Sequence, residues 1–432
     1  MKSTRVAHSV PAPANPDAML RRRLDAIASS GAAELANLAV GVVRDREVVF
    51  THAWGSRAPG IAGAEPYRTD SLIRVASLSK PFVALAVLGL CERGLIDLDS
   101  DVSDPLGFTL RHPAHPDDAI TPRMLLSHTS SLRDGELYSL PADRELREFF
   151  DPRSDHWEGG AHYASAGRPG EYHCYCNLGY GVLGTVIECV TGHRFDRYMH
   201  DAVLAPMGLG GGFGTDVLSA GAIGRLVPPY RKVKDGRYDA HGSWVAQTDM
   251  FAGGSARPDP VGDYRVGTNA TFLSPQGGLR ASIEDLLRFV SFMVDPDLRA
   301  RTAIVGETSI AEMMRAQWSW DPQLRNGDTY NGVTRLSGLG LFRMTATADG
   351  EGSDRLLPDG GPRLWGHHGD AYGFLGGVLF DPKRGYGFCY TIGGTAADPE
   401  LTRGRFSSYS WWEEAVQEAV LTVYPPPSSG TR

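Results

Sequence analysis

A serine hydroxyl is a weak nucleophile until a base takes its proton. The segment Ser77-Leu78-Ser79-Lys80 offers such a pair. Residues three apart on a helix share a face, so the Lys80 amine can reach the Ser77 hydroxyl. A lysine serves as a base when burial or a neighbouring cation depresses its pKa. Ser-x-x-Lys is common by chance, but lysine is scarce here: the chain has five, at 2, 80, 232, 234 and 383, and the pattern occurs once. From Ser77 onward Val83, Val87 and Leu90 recur at helical spacing, as do Ala84, Leu88 and Cys91. The pair therefore opens a helix, whose N-terminus favours the negative charge of a developing oxyanion. Pro81 is tolerated in the first turn and Gly94 closes the helix. The bland alternative, a solvated lysine beside an N-cap serine, is disfavoured by this context.

Such a helix needs a scaffold. The spacing predicts a helix over 17–29, then a β-hairpin of Leu38–Val43 and Val48–His52 around Arg44-Asp45-Arg46. Short helices are expected at Leu178–Val190, Phe195–Val203 and Ser282–Val294. Strand-like segments follow at Gly338–Met344, Arg363–Gly366, Gly376–Phe380 and Gly385–Ile392, and a last amphipathic helix covers Ser407–Val423. Residues 210–275 show little periodicity and read as an irregular insertion. Strands at both chain ends with helices between them argue α+β, with a largely antiparallel sheet built from both ends. The expected division is a flexible tail at 1–17, a discontinuous sheet domain at 18–75 and 278–424, a mainly helical domain at 76–277, and a tail at 425–432.

Several stretches resemble the serine β-lactamase and penicillin-binding-protein superfamily, in that family's order. They are IRVASLSKPF, ITPRMLLSHTSSL (Ile120 to Leu132), PGEYHCYCNLGYGVLGTVIECVTG (Pro169 to Gly192), SPQGGLRASIEDLLRF (Ser274 to Phe289) and LWGHHGDAYGFLGG (Leu364 to Gly377). The nearest branch holds class C β-lactamases, D-alanyl-D-alanine carboxypeptidases, D-aminopeptidases and family VIII esterases. The resemblance implies a β-lactamase/transpeptidase-like fold and a second motif at Tyr175-Cys176-Asn177. Tyr175 would lie beside the serine and lysine and relay protons. Asn177 would bond both the lysine and the substrate. The bland readings are a core tyrosine and, for Asn177, a helix N-cap. The third motif falls on His367-His368-Gly369, where β-lactamases carry lysine first. Gly369 would let substrate backbone approach the strand. Asp370 would supply an N–H to an oxyanion hole, paired with that of Ser77. An acidic side chain at 370 departs from the pattern, and would repel a substrate carboxylate or bind an ammonium. The bland readings are an ordinary strand histidine at 367 and a solvent-facing one at 368.

The resemblance implies a serine hydrolase working through an acyl-enzyme, with Lys80 and Tyr175 sharing the general-base and general-acid duties and no cofactor or metal. His367 tips the expected substrate toward an amide or peptide, including D-configured ones. A carboxylesterase is the alternative, then a β-lactamase or transacylase, and a catalytically silent binding homologue is the non-enzyme reading. Other signals carry less. Gly179–Gly184 matches GxGxxG but follows Asn rather than a strand, so a dinucleotide site is rejected. Cys174 and Cys176, near His162 and His173, lack the second pair of a zinc site. The net charge of −8 and the lack of a basic run argue against nucleic acid, and no apolar stretch is long enough for a membrane span. Five cysteines and no apolar leader fit a cytoplasmic protein acting on a small molecule or short peptide.

Overall fold

The computed structural model describes residues 15–249 and 261–428. Its centre is an eight-stranded antiparallel sheet that joins the two ends of the chain. Asn37–Arg44 lies between Glu47–Gly55 and Tyr386–Ile392, and Phe374–Asp381, Trp365–Ala371 and three two-residue strands continue outward. The first hairpin turns at Asp45 and Arg46, both at positive φ (53° and 67°), the conformation that matches a two-residue turn to strand twist. The side chains alternate between two cores. Leu38, Val40 and Val42 face helices Pro16–Ala28 and Trp411–Val423, where Trp412 is fully buried. Ala39 and Val43 face helix Ile283–Val294 and the rest of the chain. Between them Gly41 leaves room for Leu287, whose isobutyl group would lie 2.5–2.7 Å from an added Cβ.

Helix Ile283–Val294 starts at the Ser282 N-cap, in a capping box with Asp285. The last helix does the same at Ser410 and Glu413, so it begins after residue 410 rather than at Ser407. The Gly338–Met344 segment is not one strand. It splits into Leu336–Ser337 and Phe342–Arg343 around Gly340 at φ +66°. The insertion at 210–275 is less irregular than expected. Tyr230–Lys234 pairs with Arg237–Tyr238, with Ser243–Ala246 and, in parallel, with Gly394–Thr395. These strands are two to five residues long, too short for their periodicity to show. Part of that insertion, and most of the two tails, lies outside the described residues. No helix among the described residues is long and apolar enough to cross a membrane.

Helices Lys80–Glu92 and Asn177–Thr191 pack against each other beside the sheet and carry the first two motifs to the strand that carries the third. Replacing Gly41 by valine forces a branched side chain into the space of Leu287. We expect a destabilisation of about 1–3 kcal/mol, read by denaturant titration, with an unchanged fold by circular dichroism.

Candidate active site

Ser77 lies in a 3₁₀ turn, Ala76–Ser79, that runs directly into helix Lys80–Glu92. Ala76 has φ +48°, a conformation an alanine adopts only when its surroundings hold it. The holders are visible. Ser79 Oγ donates to Ala76 O at 2.7 Å and accepts from Leu279 N at 3.1 Å, while Val75 N donates to Leu279 O at 2.8 Å. The turn also sits on the sheet. A Cβ on Gly369 would lie 2.7 Å from Val75 O, so only glycine lets the Ser77 turn approach this strand.

Lys80 is fully buried and its ammonium has three acceptors for its three protons. Nζ donates to Ser77 Oγ at 3.0 Å, Asn177 Oδ1 at 2.9 Å and the Gln276 carbonyl at 2.9 Å. Burial lowers its pKa from 10.5 to about 7, and the Asp134 carboxylate opposes that drop. Tyr175 Oη donates to Ser77 Oγ at 2.7 Å, and burial pushes the phenol pKa far up, so it stays protonated. Ser77, Lys80, Tyr175 and Asn177 are thus linked by three short contacts. Asn177 is not the N-cap of its helix. Cys176 is, accepting from Gly179 N through its thiol, and Asn177 is the first helical residue.

His367 and Gly369 point to the Ser77 side of their strand, and His368 and Asp370 to the other, as alternation requires. His367 is buried. Its Nδ1 donates to His368 O at 2.6 Å, so Nε2 carries the lone pair, and it has no partner among the described residues. Burial and the Lys80 charge hold its pKa well below the usual histidine value, so it is neutral. His368 does not face open solvent. Its ring lies 4.7 Å from that of Tyr409, and Gln417 reaches its Nε2 at 3.3 Å. Asp370 is exposed at the rim. A cavity of about 360 Å³ opens at Ser77, walled by Tyr175, Tyr330, Phe342, His367 and Tyr409. The C-terminal helix closes its end with Glu413, a carboxyl that burial raises to about 7. Of the discounted metal candidates, His173 stacks on Trp318 at 4.4 Å and Cys176 serves as the cap. Among the described residues no group of His, Cys, Asp and Glu is placed to hold a metal ion.

A family model described as Beta-lactamase matches residues 21–405. The chain belongs to that family. Esterase EstB of Burkholderia gladioli is 34% identical over 210 residues, 44% of this chain and 51% of that protein. The D-aminopeptidase of Brucella anthropi is 28% identical over 181 residues, 39% of this chain and 31% of that protein. The chain thus matches about a third to a half of the length of these curated relatives. A D-amino acid amidase structure from Ochrobactrum anthropi SV3 superposes with a TM-score of 0.66 at 19% identity, over 94% of this chain and 98% of that one. The fold is the β-lactamase/transpeptidase fold, and the relatives of this β-lactamase-family chain include amidases and esterases.

Asp134 escaped the sequence reading. Its carboxylate accepts from Asn177 N at 2.8 Å, Asn177 Nδ2 at 2.8 Å and Leu178 N at 2.9 Å, an anion seated on the N-terminus of helix Asn177–Thr191. The Nδ2 contact decides which way the Asn177 amide faces, and therefore that Oδ1 meets Lys80. The only signal was an acidic residue two places beyond the stretch ending at Leu132. Tyr330, whose Oη accepts from Tyr175 N at 2.8 Å, lies in a loop with no signal at all. Asp134→Asn sets one amide NH₂ against another and removes the charge that favours the Lys80 ammonium. Turnover should fall roughly 10- to 100-fold. The acid limb of its pH profile should move to lower pH, which a pH–rate titration against the wild type measures.

Proposed function

We propose that the chain hydrolyses amide or short-peptide bonds through an acyl-enzyme on Ser77, with D-configured aminoacyl groups within its range. The observation that carries this reading is Ser77 Oγ held between Lys80 Nζ at 3.0 Å and Tyr175 Oη at 2.7 Å.

When Lys80 is neutral, two of its three partners, Asn177 Oδ1 and Gln276 O, still require its two N–H bonds. The lone pair is then left for Ser77. The serine proton moves to Nζ as Oγ attacks the substrate carbonyl. The backbone N–H groups of Ser77 and Asp370 receive the oxyanion. On collapse the carbon–nitrogen bond breaks. Tyr175 gives its proton to the leaving nitrogen and regains the one that Lys80 took from Ser77. Water then attacks the acyl-enzyme, its proton travels the reverse path, and the acid leaves. Asn177 and His367 line the path of the substrate. No step requires a cofactor.

Neutral His367 stands where β-lactamases place a lysine, so the site offers no cation there for a substrate carboxylate. That favours an uncharged amide, and the D-aminopeptidase likeness points the same way. The likeness to EstB supports a second reading, a carboxylesterase. A panel of p-nitrophenyl esters against D- and L-aminoacyl p-nitroanilides separates the two. Short-ester turnover without anilide cleavage would remove the amidase reading.

Intact-protein mass after treatment with an alkyl fluorophosphonate should rise by one adduct in the wild type and not in Ser77→Ala. An unlabelled wild type would favour a silent homologue. Turnover should fall about tenfold per pH unit below about 7, because protonated Lys80 cannot accept the serine proton, and should level off above it.

A further inference from the structure

His128 grips the tyrosine that donates to Ser77. Its carbonyl oxygen accepts from Cys174 N at 2.8 Å and its Nδ1 accepts from Cys176 N at 3.0 Å. One residue therefore holds the amides on both sides of Tyr175, and Tyr330 Oη holds the amide of Tyr175 itself. The His128 ring also lies against the Tyr175 ring, with centroids 4.3 Å apart and planes 25° from parallel. Phe342 lies 6.0 Å from the His128 ring at 18°, and His173 meets its edge at 5.9 Å.

The residue type is specific to this arrangement. Because Nδ1 accepts, the proton is on Nε2, which is buried without a partner among the described residues. A buried N–H left unpaired is a cost, and a phenylalanine would avoid it. Phenylalanine, however, offers no acceptor to Cys176 N. The backbone is also unusual, at φ +61°, which histidine and asparagine tolerate better than most residues. Burial, with the Lys80 ammonium nearby, holds its pKa well below the usual histidine value, so the ring is neutral, as an acceptor nitrogen must be.

We infer that His128 is a positioning residue for Tyr175: its carbonyl and Nδ1 clamp the flanking amides while its ring fixes the plane of the phenol, so that Oη stays on Ser77. The inference rests on the proposed role of Tyr175 in moving protons at Ser77. Two substitutions dissect it. His128→Phe keeps a flat ring and removes the acceptor. His128→Asn removes the ring but places Oδ1 where Nδ1 stood and accepts the positive φ.

The test is the saturation kinetics of Ser77 labelling by an alkyl fluorophosphonate. In this reaction the serine oxygen–phosphorus bond forms, fluoride leaves and Lys80 takes the serine proton, while the Tyr175 Oη bond holds Oγ in place for attack. The maximal rate reads activation of Ser77, and the half-saturating concentration reads binding. His128→Phe should lower the maximal rate at least roughly tenfold with half-saturation within about twofold, since small displacements of a reacting group cost rate rather than affinity. His128→Asn should label at least about threefold faster than His128→Phe. A His128→Phe protein that labels within about tenfold of the wild-type rate, or a His128→Asn protein less than about threefold faster than His128→Phe, overturns the inference. Should His128→Phe not fold, His128→Asn decides alone: a maximal rate within about tenfold of wild type supports the clamp, and a larger loss overturns it. A wild type that is never labelled would instead sink the acyl-enzyme reading, so the two failures are distinct.

Discussion

A lysine amine taken wholly out of water governs this structure. Lowering the Lys80 pKa from 10.5 to about 7 corresponds to roughly 5 kcal/mol against the charged form. The protein sustains it by giving every proton of the ammonium a partner, since an unpaired buried charge costs far more. Two of those partners, the Asn177 amide oxygen and the Gln276 carbonyl, can only accept. The cage therefore tolerates the loss of one proton and dictates which contact changes. The direction of the lone pair is a consequence of packing rather than of any contact with substrate.

That cage is assembled from parts far apart in the chain. Lys80 belongs to the first helix after the hairpin, Asn177 opens another helix, and Gln276 precedes the return to the sheet. Asp134 ties them by fixing the Asn177 amide, and it moderates the lysine as well. Gly369 has the opposite task of having no side chain, so that the strained turn at Ala76 can rest against the strand. The eight-stranded sheet, with cores on both faces, is the rigid body against which these sub-ångström demands are met. A site held by chain ends that pair with each other inherits the cooperativity of the whole fold.

Legibility in the sequence followed locality. Ser77 and Lys80 share one helical turn, so their spacing alone brings them together. The hairpin followed from two β-branched runs around a polar turn, the sheet of both chain ends from the order of the elements, and the long helices from their period. Tyr175, Asn177 and His367 were reached through family resemblance, because nothing local says that a tyrosine 98 residues away donates to Ser77. Asp134 and His128 were missed for a related reason. Most of their partners are backbone amides, which every residue has, so little in the pairing of side-chain types betrays them. The short strands at 226–246 failed on length, and the break at Gly340 failed because a positive φ at glycine leaves the apolar pattern intact.

The same physics separates recognition from activation at the third motif. A lysine at position 367 would bring a second cation near Lys80, lowering its pKa further and drawing anionic substrates. Histidine at this buried position is neutral, with Nδ1–H committed to the backbone and Nε2 left as an acceptor. Such a group rewards a substrate that donates a hydrogen bond there, and gives nothing to a carboxylate. In the proposed mechanism the activation of Ser77 belongs to Lys80 and Tyr175, while the strand that carries His367 is free to set what the cavity admits. The cavity has aromatic walls, and Asp370, Glu400, Arg403 and Glu413 bring charges of both signs to its edges. The neutrality of His367 thus supports the uncharged amide proposed as substrate.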